Sequence, residues 1–156
     1  MSKEEKIIIT YGTFDMFHIG HLKLLQRLSK LADKLIVAVS TDEFNQIKGK
    51  KVLIPYEQRA EIVNNVKCVD SVIPEHRWEQ KIEDIKKYNI DIFAIGDDWK
   101  NKFDFLKDYC EVVYLTRTED ISTTKLKKSL SNFLSIPKED IINAFEILEQ
   151  LKKDLE

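Results

Sequence analysis

Apolar residues fall into short β-branched runs that alternate with stretches in which they recur every three or four positions. Ile7, Ile8 and Ile9 form one such run, ended by Tyr11-Gly12, and predict a buried strand. Leu22, Leu25, Leu28 and Leu31 then follow at helical spacing, predicting an amphipathic helix that starts near Gly20. Residues 35–39 read as a second buried strand, and residues 40–55, which have no clear period, as a surface loop. A helix is expected over residues 56–66, a short strand over 71–73 closed by Pro74, and a helix over 78–88. Two more strands are expected over 90–95 and 111–115, and Ser122-Thr123-Thr124 reads as the N-cap of a further helix. From Pro137 onward, Ile141, Ile142, Phe145, Leu148 and Leu151 draw one apolar stripe, a helix that needs a partner surface.

Strands alternating with helices imply crossover units and a parallel sheet covered on both faces. The expected fold is therefore α/β, a Rossmann-like doubly wound sheet of about five strands over residues 1–130, with a helical extension over 131–156 packed on the same domain or on a second copy. The length of 156 residues suits a single globular core. Charged residues make up 33% of the chain, yet the net charge is only −2, so no global basic field exists to attract nucleic acid and any phosphate site must be local. No apolar run approaches the roughly 20 residues of a bilayer span, and the first residues lack a secretory apolar region, so a cytoplasmic protein is expected. Cys68 and Cys110 lack the spacing of a zinc site and read as reduced structural thiols.

In open parallel sheets ligands bind beyond the carboxyl ends of the strands. Four polar or glycine-bearing segments follow predicted strands there: Gly12-Thr13-Phe14-Asp15, Ser40-Thr41-Asp42, Gly96-Asp97-Asp98-Trp99 and Thr116-Arg117-Thr118-Glu119. His18-Ile19-Gly20-His21 opens the first helix, where the positive end of the helix favours anions and two imidazoles could donate hydrogen bonds to phosphoryl oxygens. A capped helix start with one packed histidine is the alternative. Arg117, Thr118, Ser122 and Thr123 gather a guanidinium and hydroxyls at another helix start, as a triphosphate would require, against the alternative of simple N-capping. Lys48, Gly49, Lys50 and Lys51 form the one tight basic cluster, which could equally be a solvated loop.

Gly12-Thr13-Phe14-Asp15, His18-Ile19-Gly20-His21 and the segment from Arg117 to Thr124 resemble the signatures of the HxGH nucleotidyltransferases, in their cytidylyltransferase branch. Within that branch, Thr41-Asp42-Glu43-Phe44-Asn45, Trp78-Glu79-Gln80-Lys81, Gly96-Asp97-Asp98-Trp99 and Phe103-Asp104-Phe105-Leu106-Lys107 are similar to members that use glycerol 3-phosphate. The resemblance implies a homodimer that transfers CMP from CTP to a small phosphorylated acceptor, with magnesium carried on the triphosphate and no protein ligand set for the metal. It implies catalysis by His18, His21, Lys48 and Arg117. CTP contacts would come from Thr13, Phe14, Asp15, His18, Gly20, His21, Lys50, Lys67, Asp98, Arg117, Thr118, Ile121, Ser122 and Thr123. Acceptor contacts would come from Lys48, Arg59, Trp78 and Lys81. The chain departs from the family pattern at Lys67-Cys68, at Asp120 and in its carboxyl-terminal helix. The alternatives are another phosphorylated acceptor, such as phosphocholine, phosphoethanolamine or a phosphorylated amino acid, in capsule or surface polysaccharide modification, and a catalytically silent nucleotide-binding module.

Overall fold

Side chains on alternate residues of an extended chain point to opposite faces, and in this protein both faces are apolar. The structure, a computed structural model, describes residues 4–117 and 122–155. Strands β1 (Ile7–Gly12), β2 (Lys34–Ser40), β3 (Ser71–Glu75), β4 (Ile92–Gly96) and β5 (Glu111–Leu115) pair in parallel in the order β3-β2-β1-β4-β5. Ile8, Leu35, Val37, Val39, Ile92 and Ala94 face one core with Leu25 and Leu28 of α1 (Ile19–Ser29) and Val63 of α3 (Tyr56–Asn64). Ile9, Ile36, Ala38, Phe93 and Ile95 face the opposite core with Ile85 of α4 (Gln80–Lys87), Phe103 and Leu106. The expected α/β doubly wound sheet is thus realised. β3 extends through Pro74, which an edge strand tolerates.

The chain divides into two compact units, residues 1–121 and 122–156. The first holds the sheet. The second holds α5 (Thr123–Leu134), capped by the Ser122 hydroxyl accepting from the Lys125 N–H, and α6 (Lys138–Asp154). The expected extension starts at residue 131, whereas the second unit already includes all of α5. No helix among the described residues is long and apolar enough to cross a membrane.

Residues 40–55 differ from the expected loop, because α2 (Asp42–Ile47) lies within them. Thr41 caps it by accepting from the Phe44 N–H at 3.2 Å, Asp42 and Glu43 sit in its positively polarised first turn, and Phe44 and Asn45 are buried. Six residues are too few to display a period.

The rest of this segment is pinned from two sides. Asp15, at 2% exposure, accepts from the backbone N–H groups of Leu53 and Ile54 at 2.9 and 3.0 Å. Arg59, at 1% exposure, donates from Nε to the Ile54 carbonyl, from Nη1 to the Thr13 and Ser40 carbonyls, and from Nη2 to the Asp42 carboxylate, all between 2.6 and 2.8 Å. Arg59 therefore clamps the ends of β1 and β2 to α2 and the following loop. Arg59 is expected among the acceptor contacts, and in this structure its guanidinium is committed to three carbonyls and a carboxylate, which also makes it a fold element. Leaving a buried carbonyl without a donor costs about 1 to 3 kcal/mol, so Arg59→Leu is expected to lower unfolding free energy by about 3 kcal/mol or more. Urea titration followed by fluorescence of Trp78 and Trp99, which both lie in the first unit, measures it. A loss below about 1 kcal/mol would show that the clamp does not hold this edge together.

Candidate active site

β1 sits between β2 and β4, so the chain's direction of winding reverses at its carboxyl end and a crevice opens there. The turn that leaves β1 is tightly constrained. Phe14 and Met16 adopt left-handed backbone angles, φ 53° and 50°, rare for non-glycine residues and a feature that clusters at functional loops. Gly12 makes the turn possible, since a Cβ at that position would lie 2.7 Å from the Phe14 ring. Phe14 is buried in the core, and Thr13 donates to the side-chain oxygen of Asn45 in α2 at 2.9 Å. Asp15, expected among the CTP contacts, has its carboxylate on the 53–54 backbone.

His18 and His21 form a reciprocal cap on α1. His18 Nδ1 accepts from the Gly20 N–H at 3.0 Å, and His21 Nδ1 accepts from the His18 N–H at 3.2 Å. A nitrogen that accepts cannot carry the proton, so each ring holds its hydrogen on Nε2. Burial lowers the pKa of both rings, that of His21 to about 4, with the neighbouring His18 adding to the fall and Asp15 opposing it. The rings stack at 3.9 Å between centroids, an arrangement two imidazolium ions would resist. The pair is therefore a neutral double donor. Capping and function are not alternatives at this helix start; the cap fixes the tautomer.

On the other side of the crevice, two lysines are drawn into one aromatic pocket. Lys81 in α4, at 1% exposure, pairs with Glu75 Oε1 at 2.7 Å and lies 4.4 Å from the Tyr11 ring, 5.0 Å from Trp78 and 5.4 Å from Phe103. Lys48, at the end of α2, donates to Ser40 Oγ at 2.9 Å and lies 4.5 Å from the Phe44 ring and 5.8 Å from Trp78. Burial lowers the Lys48 pKa to about 8, against the opposing pull of Glu75. Trp78 and Trp99 are 5.6 Å apart and join this wall. The basic loop thus sorts by residue: Lys48 turns inward, while Gly49 takes φ 70° and Lys50 is exposed.

Arg117, beyond β5, pairs with Asp98, beyond β4, at 2.9 Å, with both side chains more than half exposed. Such a pair is held weakly and exchanges readily for a stronger anion. Lys67 lines a groove with Leu22, Gln26, Val66 and Cys68. Thr118, Ile121 and Asp120 fall outside the described residues. Ser122 and Thr123 belong to the second unit, where Ser122 caps α5.

Glu75, Tyr11 and Asp84 are buried residues of this region that the sequence reading did not single out, whereas the buried Ser40 opens one of the flagged strand-end segments. Ser40 and Glu75 face each other in register at the ends of β2 and β3, so the same rule that flagged the other strand ends would have found Glu75 at the fifth.

A family model described as cytidylyltransferase-like matches residues 9–129. The glycerol-3-phosphate cytidylyltransferase of Bacillus subtilis (strain 168) is 60% identical over 126 residues, covering 81% of this chain and 98% of that protein. The glycerol-3-phosphate cytidylyltransferase of Staphylococcus aureus (strain NCTC 8325 / PS 47) is 56% identical over 125 residues, covering 80% and 95% respectively. Among solved structures, the lipopolysaccharide core biosynthesis protein from Thermoplasma volcanium GSS1 shares the fold, with a TM-score of 0.67 at 23% identity over 74% of this chain and 99% of that one. The matched span runs from β1 through the histidine cap and the lysine pocket to α5, and over that span the chain belongs to the cytidylyltransferase-like family, as a relative of the glycerol-3-phosphate cytidylyltransferases.

Proposed function

We propose that this protein transfers CMP from CTP to glycerol 3-phosphate, giving CDP-glycerol and pyrophosphate. The observation that carries the reading is the pair of neutral, Nε2-protonated imidazoles capping α1 at the switch point of the sheet. In this reaction an oxygen of the acceptor phosphate attacks the α-phosphorus of CTP, the bond to the bridging oxygen of the β-phosphate breaks, and pyrophosphate departs with those electrons. The acceptor phosphate has a second pKa near 6 and is largely dianionic at neutral pH, so no strong general base is needed. What is needed is alignment and neutralisation of charge at the reacting phosphorus. Nε2–H donors on His18 and His21 suit that role, because a neutral donor strengthens its hydrogen bond as charge grows without having to give up its proton.

Lys48 and Lys81 would receive the acceptor phosphate, and Arg117 would leave Asp98 for the triphosphate. Thr13, Lys50, Lys67, Thr118, Ile121, Ser122 and Thr123 remain proposed nucleotide contacts, with Asp98 meeting the nucleoside. Among the described residues no three His, Cys or carboxylate groups cluster as metal ligands. Magnesium is proposed to enter on the triphosphate oxygens, which suit a hard cation, and to neutralise their charge. A cytoplasmic dimer is part of the same proposal.

The lysine pocket also bears on the acceptor. Aromatic faces can cradle a quaternary ammonium, but here Lys48 and Lys81 already occupy the rings of Phe44, Tyr11, Trp78 and Phe103. A cationic headgroup such as choline would meet two ammonium ions, whereas an uncharged glycerol would not. We therefore expect glycerol 3-phosphate to exceed phosphocholine by roughly 100-fold in kcat/KM, about 2.7 kcal/mol. A pyrophosphate-release assay over an acceptor panel measures the ratio, and a preference for phosphocholine would contradict it.

His18→Ala is expected to lower kcat on the order of 100-fold with the fold intact by circular dichroism, as for loss of one transition-state donor. Near-normal turnover would remove His18 from the mechanism. The neutrality of His21 has its own signature. Its folded pKa, about 4, lies below the ordinary 6.5, so the neutral ring contributes stability above pH 6.5 that is lost as pH falls toward 4. Denaturant midpoints measured across that window should decline in the native protein and decline less in His21→Gln; parallel profiles would contradict a neutral His21.

A further inference from the structure

Glu75 is a carboxylate at 2% exposure whose two oxygens serve different lysines, and the reaction proposed above gives it no task. Oε1 pairs with Lys81 Nζ at 2.7 Å. Oε2 accepts from Ser40 Oγ at 2.6 Å and lies 3.9 Å from Lys48 Nζ, while Ser40 Oγ in turn accepts from Lys48 at 2.9 Å. Burying two ammonium ions side by side without a counter-ion would cost several kcal/mol through lost hydration and mutual repulsion. One carboxylate between them removes most of that cost and leaves the group with net positive charge for an incoming anion.

Resting on the reading of Lys48 and Lys81 as the acceptor-phosphate site, we propose that Glu75 is a positioning residue for that site, gathering both ammonium groups, the second through Ser40, into one anion-binding unit. An ammonium has three N–H donors, and the Glu75 and Ser40 contacts direct one from each lysine, so the bonds that fix the pair leave donors for a phosphate. The polar partners of the pocket fit this division of labour. Asp84, the nearby acid on α4, takes the Tyr11 hydroxyl at 2.8 Å and the Gln80 amide at 2.9 Å on Oδ2, while the ion pairs of both lysines run to Glu75.

The charged groups acting on Lys48 are Glu75, Lys50, Lys81 and Arg59, and Glu75 is the one among them that favours the ammonium form. Removing its charge must lower the pH at which Lys48 loses its proton. The tryptophans of the chain, Trp78 and Trp99, both border this pocket, so their fluorescence reports its occupancy without turnover.

The test is the pH dependence of inorganic phosphate and glycerol 3-phosphate binding, read by tryptophan fluorescence, in the native protein and in Glu75→Gln. Affinity is expected to fall with a midpoint near pH 8 in the native protein and about one pH unit lower in Glu75→Gln, an opposite charge at this range being worth about one to three units. Glu75→Asp, which keeps the charge, should restore most of the native midpoint; if Glu75→Gln does not fold, Ser40→Ala, which cuts the link from Glu75 to Lys48, should weaken phosphate binding, and unchanged binding would overturn the inference. In turnover assays at pH 8 the KM for the acceptor should rise about fivefold while that for CTP stays within about twofold, since at that pH a pKa lowered from about 8 by one unit cuts the protonated fraction of Lys48 from about one half to about one tenth. An unmoved midpoint, a parallel loss of CTP affinity, or no phosphate response in the native protein would overturn the inference. Its failure is separable from that of the proposed reaction. Glu75-dependent phosphate binding without pyrophosphate release would sink the reaction and keep the inference, whereas turnover indifferent to Glu75 would do the reverse.

Discussion

The guanidinium of Arg59 ties together the parts of this protein that must not move relative to one another. Its donors reach the carbonyl of Thr13 just past β1, that of Ser40 at the end of β2, that of Ile54 in the loop and the carboxylate at the start of α2. The β1 turn leads into the histidine cap, and Ser40 and α2 carry Lys48. One buried cation thus sets the spacing between the imidazoles and the lysine pocket. The planar fork of arginine suits this better than an ammonium could, because it satisfies several carbonyls at fixed angles.

Given that spacing, the site divides its charges by role. The histidines are neutral because burial lowers the pKa of both, with His18 adding to the fall at His21, and because backbone N–H groups occupy Nδ1 of both. They offer directed donors without a fixed charge. The lysines offer charge, drawn into an aromatic wall with Glu75 between them. Arg117 is kept outside, in an exposed pair with Asp98 that is easily broken. On the proposed assignment, neutral donors would face the reacting phosphorus and buried cations the acceptor, an order that suits a reaction between two polyanions in which each phosphate must be held without being held too tightly to react.

Much of this was legible in the sequence for reasons that can be stated. The β-branched runs around Ile8, Val37 and Ala94 announce strands buried on both faces, and the spacing from Leu22 to Leu28 announces the helix that His18 begins. The residues that escaped share one property, that their role depends on partners distant in sequence. Arg59 enters the sequence reading only through the resemblance, as an acceptor contact, and its role as a clamp shows only when Thr13 and Ser40 are brought to it. Glu75 follows Pro74 as one more acidic residue until β3 places it beside Ser40 and α4 delivers Lys81. The six-residue α2 is too short for its period to show, although Thr41 followed by Asp42 and Glu43 carried the capping signal.

The central claim is that the imidazole pair and the lysine pocket act on two substrates in one reaction. Phosphorus NMR of the protein incubated with CTP, magnesium and glycerol 3-phosphate follows every phosphorus atom at once. The account predicts loss of the CTP and glycerol 3-phosphate signals in step, with equal amounts of pyrophosphate and of a diphosphate-linked CDP-glycerol in their place. CTP left intact beside glycerol 3-phosphate, or pyrophosphate formed without a diphosphate-linked product, would contradict it.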